Sequence, residues 1–335
     1  MSPRPLGLSL DVFSTCPSSA RVSPTDYLRH AVEVAGWSDR YGCQGILVYS
    51  DNSQLDPWTI AHVILQNTRS LAPLVAVQPV YMHPFTLAKI VATLSAMYQR
   101  RIYLNLVAGG FKNDLVALND ATPHDRRYER LTEYMRVVNA LLDGAPVTFE
   151  GEFYRVDKLG LTPPLPPALR PGVFVSGSSD AGLGTARALA ATAIKYPKPS
   201  REETAADPNV ACGLRVGIVA RPHADDAWAA ARGRFPETRQ GQLTRQLATK
   251  VSDSVWHHQL ADRAGTEPDS PYWLVPFENY QTMCPYLIGS YVQVADELAA
   301  YQSAGFRTVI LDVPPSAEDL AHTFAAMAAA TEEVA

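Results

Sequence analysis

Short apolar runs alternate with longer amphipathic stretches along almost the whole chain, and this rhythm limits the possible fold more than any other feature. The apolar runs predict strands at Leu6 to Phe13, Gly45 to Tyr49, Leu74 to Pro79, Ile102 to Val107, Gly172 to Ser176, Arg215 to Ala220 and Thr308 to Leu311. The amphipathic stretches predict helices at Asp26 to Tyr41, Pro57 to Thr68, Pro84 to Tyr98, Asp180 to Thr192, Ala224 to Gly233, Val292 to Ala304 and onward from Glu318. Apolar strands separated by helices indicate right-handed βαβ units and a parallel sheet buried on both faces.

Because the alternation runs through most of the chain, it favours a closed (β/α)8 TIM barrel with insertions, an α/β fold, over an open sheet. A doubly wound sheet is the alternative, although no GxGxxG motif follows the first strand. The length of 335 residues fits a single barrel domain spanning residues 1–335.

Three regions interrupt the rhythm. Thr148 to Asp157 predicts a small hairpin turning at Glu150-Gly151, and it leads into a proline-rich link, so residues 148–171 form one insertion. Residues 192–211 and 237–286 are long and poorly periodic. In a barrel, such loops form the substrate cavity or its lid, and the alternative is an ordinary surface insertion.

Composition excludes several classes of protein. The net charge of −5 predicts binding to neither nucleic acid nor an anionic membrane surface. No apolar run is long enough to span a membrane, and the first residues lack the pattern of a signal peptide. The four cysteines form no CxxC pair, which predicts reduced thiols in the cytoplasm. The histidines show no metal-ligand pattern, so no metal site is predicted and a metal-dependent hydrolase is the weakest alternative.

One strand runs into small residues just before a helix that begins at Asp180. Free backbone N–H groups, serine hydroxyls and the helix dipole together form a site for a phosphate. Gly177, Ser178 and Ser179 are therefore candidate phosphate ligands, with Gly177 allowing the backbone to approach closely. The alternative is that Ser179 or Asp180 only caps the helix.

Two further segments carry polar residues of the same kind. A strand ends in Leu104-Asn105-Leu106-Val107-Ala108-Gly109-Gly110, which leaves room for a flat ring and places the amide of Asn105 at its edge. The alternative for that segment is a plain turn with glycines. His124 and Tyr128 lie four residues apart on one helical face, where both can contact a phosphate or a ribityl chain. His124 alternatively makes only a local hydrogen bond.

These segments belong to an ordered series of five. They are Asn-Leu-Val-Ala-Gly-Gly from Asn105, His-Asp-Arg-Arg-Tyr-Glu from His124, Val-Thr-Phe-Glu-Gly-Glu-Phe-Tyr-Arg-Val from Val147, the proline-rich link, and Val-Ser-Gly-Ser-Ser-Asp-Ala from Val175. In order and spacing the series resembles the luciferase-like flavin monooxygenases, with the alkanesulfonate monooxygenases as the nearest branch. The resemblance covers Leu8 to about Phe324 and is weakest from Pro236 to Met283.

The resemblance implies a set of site residues. The flavin contacts it implies are Asn105, Ala108, His124, Tyr128, Ser178 and Ser179. Gln54 stands where the alkanesulfonate enzymes usually have a cysteine near the flavin, and Arg215 matches an arginine in their pocket. Arg215 would orient a substrate anion or stabilise charge on bound oxygen, or else form an ion pair within the barrel. Gln54 and Cys16 would line the pocket, although a buried cysteine is often only packing.

Four departures from that branch concern the substrate. Cys16 stands in place of a histidine, Gly217 replaces another histidine two residues after Arg215, and Ala108 replaces a hydroxyl residue. The arginine- and glycine-rich lid has no counterpart in Phe277 to Met283. Because a sulfonate needs several positive donors, the sequence predicts a larger or less anionic substrate.

The resemblance implies a two-component monooxygenase in which a separate flavin reductase supplies reduced FMN. Reaction with O2 would give a flavin peroxide that oxygenates a small organic substrate by hydroxylation, N-oxidation or Baeyer–Villiger insertion. A homodimer or higher homo-oligomer is also implied. The alternatives are a deazaflavin-dependent hydride-transfer enzyme on the same fold and a non-catalytic flavin-binding relative.

Overall fold

Eight parallel strands close into a barrel in the computed structural model, which describes residues 9–20, 22–109, 112–177, 179–236, 270–279 and 281–329. The barrel strands are β1 (Asp11–Thr15), β2 (Gly45–Val48), β3 (Ala72–Val77), β4 (Tyr103–Leu106), β7 (Gly172–Ser176), β8 (Thr192–Lys195), β9 (Cys212–Arg221) and β12 (Phe306–Leu311). The ring closes because β12 pairs with both β1 and β9, and β9 also pairs with β8. The predicted (β/α)8 barrel is confirmed.

Helices follow or connect the strands. They are α1 (Pro24–Tyr41), α2 (Pro57–Asn67), α3 (Pro84–Tyr98), α4 (Lys112–Ala117), α5 (His124–Leu142), α6 (Asp180–Ala188), α7 (Ala224–Arg234), α8 (Val275–Glu278), α9 (Tyr291–Ser303) and α10 (Ala317–Ala329). Their ends follow local chemistry: Ser23 caps α1 by accepting a hydrogen bond from the N–H of Asp26, and Gly42 ends it with a φ of 84°. No helix in the described ranges is long and apolar enough to cross a membrane.

Aromatic rings fill the barrel interior below the carboxyl ends of the strands. Phe13 meets Tyr103 and Phe174 edge to face, with 5.1 Å between ring centroids in both pairs. Edge-to-face aromatic contacts add to the stabilisation from burial. These rings therefore fill the barrel interior beneath the carboxyl ends of the strands.

Two small sheets extend the barrel. β5 (Val147–Glu150) and β6 (Arg155–Leu159) form an antiparallel hairpin inside the predicted insertion. β10 (Tyr272–Trp273) pairs with β11 (Tyr286–Ser290), which in turn pairs with the second half of β9. The first half of β9 belongs to the barrel, so one continuous strand serves both sheets.

The structure corrects the prediction around β8. The predicted helix from Asp180 to Thr192 ends at Ala188, Ala190 adopts a φ of 50°, and β8 occupies the start of a region expected to be irregular. The alanine-rich run favours a helix by propensity, whereas the barrel requires a strand between β7 and β9, and tertiary pairing overrides propensity. β11 and α4 were also not predicted, and residues 237–269 of the second variable region lie outside the described residues.

Candidate active site

A cavity of about 660 Å³ opens at the carboxyl ends of the barrel strands. Barrel enzymes place their active sites at this face. Its lining includes Tyr49, Gln54, Asn105, Ala108, Gly109, His124, Tyr128, Ser176, Gly177, Ser179, Tyr196, Arg215, Arg234, Tyr286 and Asp312. Six barrel strands (β2, β4, β7, β8, β9 and β12) and the start of β11 thus bring polar groups together from distant parts of the sequence.

One wall of the cavity carries the buried amide of Asn105 on β4. Its Oδ1 atom accepts a hydrogen bond from the hydroxyl of Ser176, at the end of β7, over 2.8 Å. This bond fixes the orientation of the amide. The small residues Ala108 and Gly109 follow on the same wall, so a flat ring can approach Asn105 without meeting a long side chain.

The start of α6 forms the next part of the wall. Ser179 caps this helix, and the N–H of Gly182 donates to its hydroxyl over 3.2 Å. Gly177 packs so closely against the Tyr128 hydroxyl that a Cβ at this position would overlap it. Burial raises the pKa of Tyr128, while Ser179 and the charge of Arg127 partly oppose that rise, so the phenol stays protonated at neutral pH.

His124 lies beside this wall at the first turn of α5. Its ring meets the ring of Tyr128 with 5.2 Å between centroids, and its Nδ1 lies 2.7 Å from Oδ1 of Asp125. The structure therefore brings Asn105, Ala108, His124 and Tyr128 to one cavity with Gly177 and Ser179. Ser178, the remaining candidate phosphate ligand, lies outside the described residues.

A second polar group, here called the floor network, consists of Thr15, Tyr49, Arg215, Tyr286 and Asp312. Arg215 is 3% exposed and donates from Nη1 to the hydroxyl of Thr15 over 3.1 Å and from Nη2 to the hydroxyl of Tyr49. The same Nη2 lies 3.6 Å from Oδ1 of Asp312. Tyr286 donates to Oδ2 of Asp312 over 2.8 Å. The floor network is a continuous chain of contacts between β1, β2, β9, β11 and the residue after β12.

Arg215, Tyr49 and Tyr286 of the floor network keep their usual protonation at neutral pH. Burial alone would lower the pKa of Arg215, but the neighbouring tyrosines and Asp312 raise it above its usual value, so the guanidinium stays charged. Burial raises the pKa of Tyr49 and, together with Asp312, that of Tyr286. Both phenols remain neutral, and the network holds one cation and one carboxylate.

Tyr286 explains the glycine at position 217. Gly217 pairs with Tyr286 across β9 and β11, and the tyrosine ring lies where a side chain at 217 would begin. The space that a histidine would need at this position is therefore filled from β11. The phenol of Tyr286 donates a hydrogen bond to Asp312. A histidine at position 217 would instead place a basic ring nitrogen in this part of the cavity.

Of the two residues expected to line the pocket, Gln54 does so and Cys16 does not. Gln54 lines the cavity, and its Oε1 accepts hydrogen bonds from the N–H and hydroxyl of Ser19 over 2.8 and 2.9 Å. Cys16 does not reach the cavity, contrary to the expectation that it lines the pocket. It is 1% exposed and its Sγ lies 3.6 Å from the hydroxyl of Tyr27 on α1. Thr15 faces Arg215 inside the barrel, so the next side chain along the strand points to the outer face.

Several cavity residues were not singled out in the sequence. Tyr49 and Asp312 directly follow β2 and β12, and Tyr196 directly follows β8. A polar residue just after a barrel strand is itself a signal, because that position faces the mouth of the barrel. No such signal marks Tyr286, since its place depends on the pairing of β11 with β9.

All four cysteines are buried and free, which predicts low reactivity. Burial raises the pKa of Cys16 to about 11 and that of Cys43 to about 12, so both stay protonated at about pH 8. Burial also raises the pKa of Cys212 and of Cys284. We expect iodoacetamide to label none of them in the folded protein, as measured by intact mass, and all four after unfolding in urea. Labelling of Cys16 in the folded protein would contradict its placement away from the cavity.

The structure is thus a parallel barrel whose carboxyl-end cavity is bordered by the serine-capped start of α6 and by the fixed amide of Asn105. The profile of the luciferase-like monooxygenase family matches residues 10–308. A relative from Niallia circulans, 4-(gamma-L-glutamylamino)butanoyl-(BtrI acyl-carrier protein) monooxygenase BtrO, is 34% identical over 307 residues, 89% of this chain and 90% of the relative. The chain belongs to the luciferase-like monooxygenase family and is a flavin-dependent monooxygenase. Its placement nearest the alkanesulfonate branch is not confirmed.

Solved structures share the fold at low identity. The oxygenating constituent of 3,6-diketocamphane monooxygenase from Pseudomonas putida, a type II Baeyer–Villiger enzyme solved with FMN, superposes with a TM-score of 0.67 at 16% identity, covering 98% of each chain. An F420-dependent secondary alcohol dehydrogenase, solved with an F420–acetone adduct, gives a TM-score of 0.65 at 18% identity, covering 97% of this chain and 99% of that chain. The fold alone therefore does not distinguish oxygenation from hydride transfer.

Proposed function

We propose that this protein uses reduced FMN, delivered by a separate flavin reductase, to transfer one oxygen atom of O2 to an organic substrate. The observation that carries the proposal is the joining, in one cavity, of the α6 start at Gly177 and Ser179 with the fixed amide of Asn105. A phosphate site and a ring site so arranged suit a phosphorylated flavin. The 34% identity to a monooxygenase over 90% of its length supports the oxygenating reaction.

The residues at the α6 start fit the phosphate of FMN. Gly177 has no side chain to block an approaching anion, and a methyl group there would already overlap Tyr128. The helix dipole and the backbone N–H groups favour a negative group at this end. Tyr128 and Ser179 add hydroxyl donors, and His124 adds a ring nitrogen.

The ring of the flavin would lie along the wall formed by Asn105, Ala108 and Gly109. Bound reduced FMN would supply the electrons that activate O2, since the cofactor carries the difficult chemistry. The chain contributes a cavity walled by the barrel strands, an amide held by Ser176, and a charged floor that would orient the substrate. Arg215 is the cation available to an acceptor group on the substrate.

The proposed substrate is an acyl group attached to an acyl-carrier protein. This class follows from the name of the relative BtrO, whose acyl group ends in a γ-L-glutamyl unit. A cavity of about 660 Å³ lies in the range of sites for small molecules and opens at the mouth of the barrel, where a tethered group can enter. Product analysis would then distinguish hydroxylation, N-oxidation and Baeyer–Villiger insertion. A homodimer or higher homo-oligomer is part of the proposal.

Hydride transfer from a deazaflavin is the alternative to oxygenation by reduced FMN. A deazaflavin-dependent hydride-transfer enzyme is represented on this fold by the F420-dependent dehydrogenase. Oxygenation is favoured over hydride transfer by the match to the monooxygenase family and by the 34% identity to BtrO.

A titration of the protein with reduced FMN under nitrogen, followed by mixing with oxygenated buffer, tests the proposal. We expect reduced FMN to bind more tightly than the deazaflavin F420. Gly177→Ala should weaken FMN binding by about tenfold or more, because the added methyl group displaces Tyr128 from the phosphate wall.

Gly184→Ala is the matched control for that variant. Gly184 lies on the same helix, and a methyl group there would meet nothing within 4 Å, so FMN affinity should not change. Binding of F420 in preference to reduced FMN would reject the oxygenation mechanism. Equal FMN affinity of the two alanine variants would reject the phosphate site at the start of α6.

A further inference from the structure

The floor network presents one cation and one anion side by side to the cavity. Nη2 of Arg215 and Oδ1 of Asp312 are 3.6 Å apart, beyond the roughly 2.7–2.9 Å of a charge-assisted hydrogen bond. Both residues line the cavity, and their side chains are 4% and 13% exposed. The two charged groups are therefore close, but the distance between them is too long for a direct hydrogen bond.

Each charge is held in place by groups other than its partner. Thr15 and Tyr49 accept hydrogen bonds from Arg215, while Tyr286 donates to Asp312. The thiol of Cys284 also contacts the carboxylate of Asp312. A carboxylate accepts about four hydrogen bonds, so Asp312 retains capacity for a further donor.

The other charged groups on the cavity wall are already paired or bonded. Arg234 lies 2.6 Å from Asp319, and Asp51 accepts hydrogen bonds from the N–H and hydroxyl of Ser53 over 2.7 and 2.6 Å. His30 and His124 complete the ionisable imidazoles of the described lining. The pair of Arg215 and Asp312 is thus the charged group best placed to meet a ligand at the floor.

We propose that this pair is a binding site for a zwitterionic α-amino-acid head group, with the ligand carboxylate on Arg215 and the ligand ammonium on Asp312. The inference rests on the proposed function, because the head group would belong to the substrate that is oxygenated in the same cavity. A ligand that is only anionic would meet the repulsion of Asp312, and one that is only cationic would meet that of Arg215. In a buried site these like-charge contacts are costly, so only a ligand with both charges satisfies both residues.

Three probes that share one chain test the proposal on the native protein. N5-butyl-L-glutamine carries both charges, N-butylglutaramic acid lacks the ammonium group, and 4-amino-N-butylbutanamide lacks the carboxylate. Isothermal titration calorimetry is carried out with and without bound FMN. We expect the zwitterion to bind about tenfold or more tightly than either analogue, since each analogue loses one charge-assisted contact.

Two variants then assign the site. Asp312→Asn should remove the preference for the zwitterion and strengthen binding of N-butylglutaramic acid, because the floor gains net positive charge. Asp51→Asn, a matched carboxylate on another wall of the same cavity, should leave the order of the three probes unchanged. Retained FMN affinity in both variants reports that they fold.

The outcomes are separable from those of the proposed function. If N-butylglutaramic acid binds as tightly as the zwitterion, or if the zwitterion shows no heat of binding at millimolar concentration, the zwitterion site is rejected. Those results leave FMN binding, measured in its own titration, unaffected. Failure of reduced FMN to bind, with zwitterion selectivity retained, would instead reject the flavin chemistry alone.

Discussion

Replacing Arg215 by methionine should lower the free energy of unfolding by about 3 to 5 kcal/mol. The substitution leaves the carboxylate of Asp312 buried beside the phenol of Tyr286 with no cation within contact distance. The hydroxyls of Thr15 and Tyr49 also lose their donor. Urea unfolding followed by circular dichroism measures the loss. A second variant, Arg215→Met with Asp312→Asn, should recover part of it, because the uncompensated charge is removed.

Arg234→Met is the matched control for this experiment. Arg234 lines the same cavity and also contacts a carboxylate, but Asp319 keeps a second arginine, Arg221, at 2.8 Å. No buried charge is left alone, so the loss should stay within about 1 kcal/mol. Equal losses for the two arginine variants would show that the cost comes from packing and not from the unpaired carboxylate.

Gly217→Ala should lower the free energy of unfolding by about 1 to 3 kcal/mol, the range for overpacked cores. The new methyl group would overlap the ring of Tyr286, which is 4% exposed. That ring cannot move easily, because it packs against Phe235 at 4.9 Å between centroids and its hydroxyl is bonded to Asp312. We therefore also expect weaker binding at the floor of the cavity.

Gly36→Ala provides the comparison. Gly36 lies within α1, where a methyl group would meet nothing within 4 Å, so this change should be neutral or stabilise the helix by up to about 1 kcal/mol. In the Gly217→Ala background, truncating the side chain at 286 to alanine should cost less than in the native chain, since the clash disappears. Additive losses would mean that the two side chains do not compete for the same space.

The sequence predicted the barrel well where strands and helices are long enough to show a period. α3 and β7 begin and end as predicted, because proline and glycine mark their ends and apolar residues fill their faces. β8 escaped detection because four residues, Thr-Ala-Ile-Lys, show no alternation and follow an alanine-rich helix. β11 escaped for another reason: its partner is the distal half of β9, which no local pattern reveals.

Some residues of the candidate site could likewise be predicted from local sequence, whereas others depend on strand pairing. Asn105, Tyr128 and Gly177 lie in short segments whose order is diagnostic, and the structure places all three on one cavity. The pair of Arg215 and Asp312 joins positions far apart in the chain, so its spacing follows only from the parallel pairing of β9 and β12. The sequence shows that both residues are present, but only the closed barrel brings their charges close together.

Closure of the barrel also determines when its strands can pair during synthesis. β1 pairs with β12 through Asp11 and Thr308. This pairing cannot form until β12, about 300 residues later in the chain, has been synthesised. Until Phe306–Leu311 emerges, β1 and the barrel half of β9 each present an unpaired edge, and Arg215 faces water without its carboxylate neighbour. Contacts this distant in sequence form late and slowly. During translation, the unpaired edges of β1 and β9 are therefore open to pairing with strands of other nascent chains until β12 has emerged.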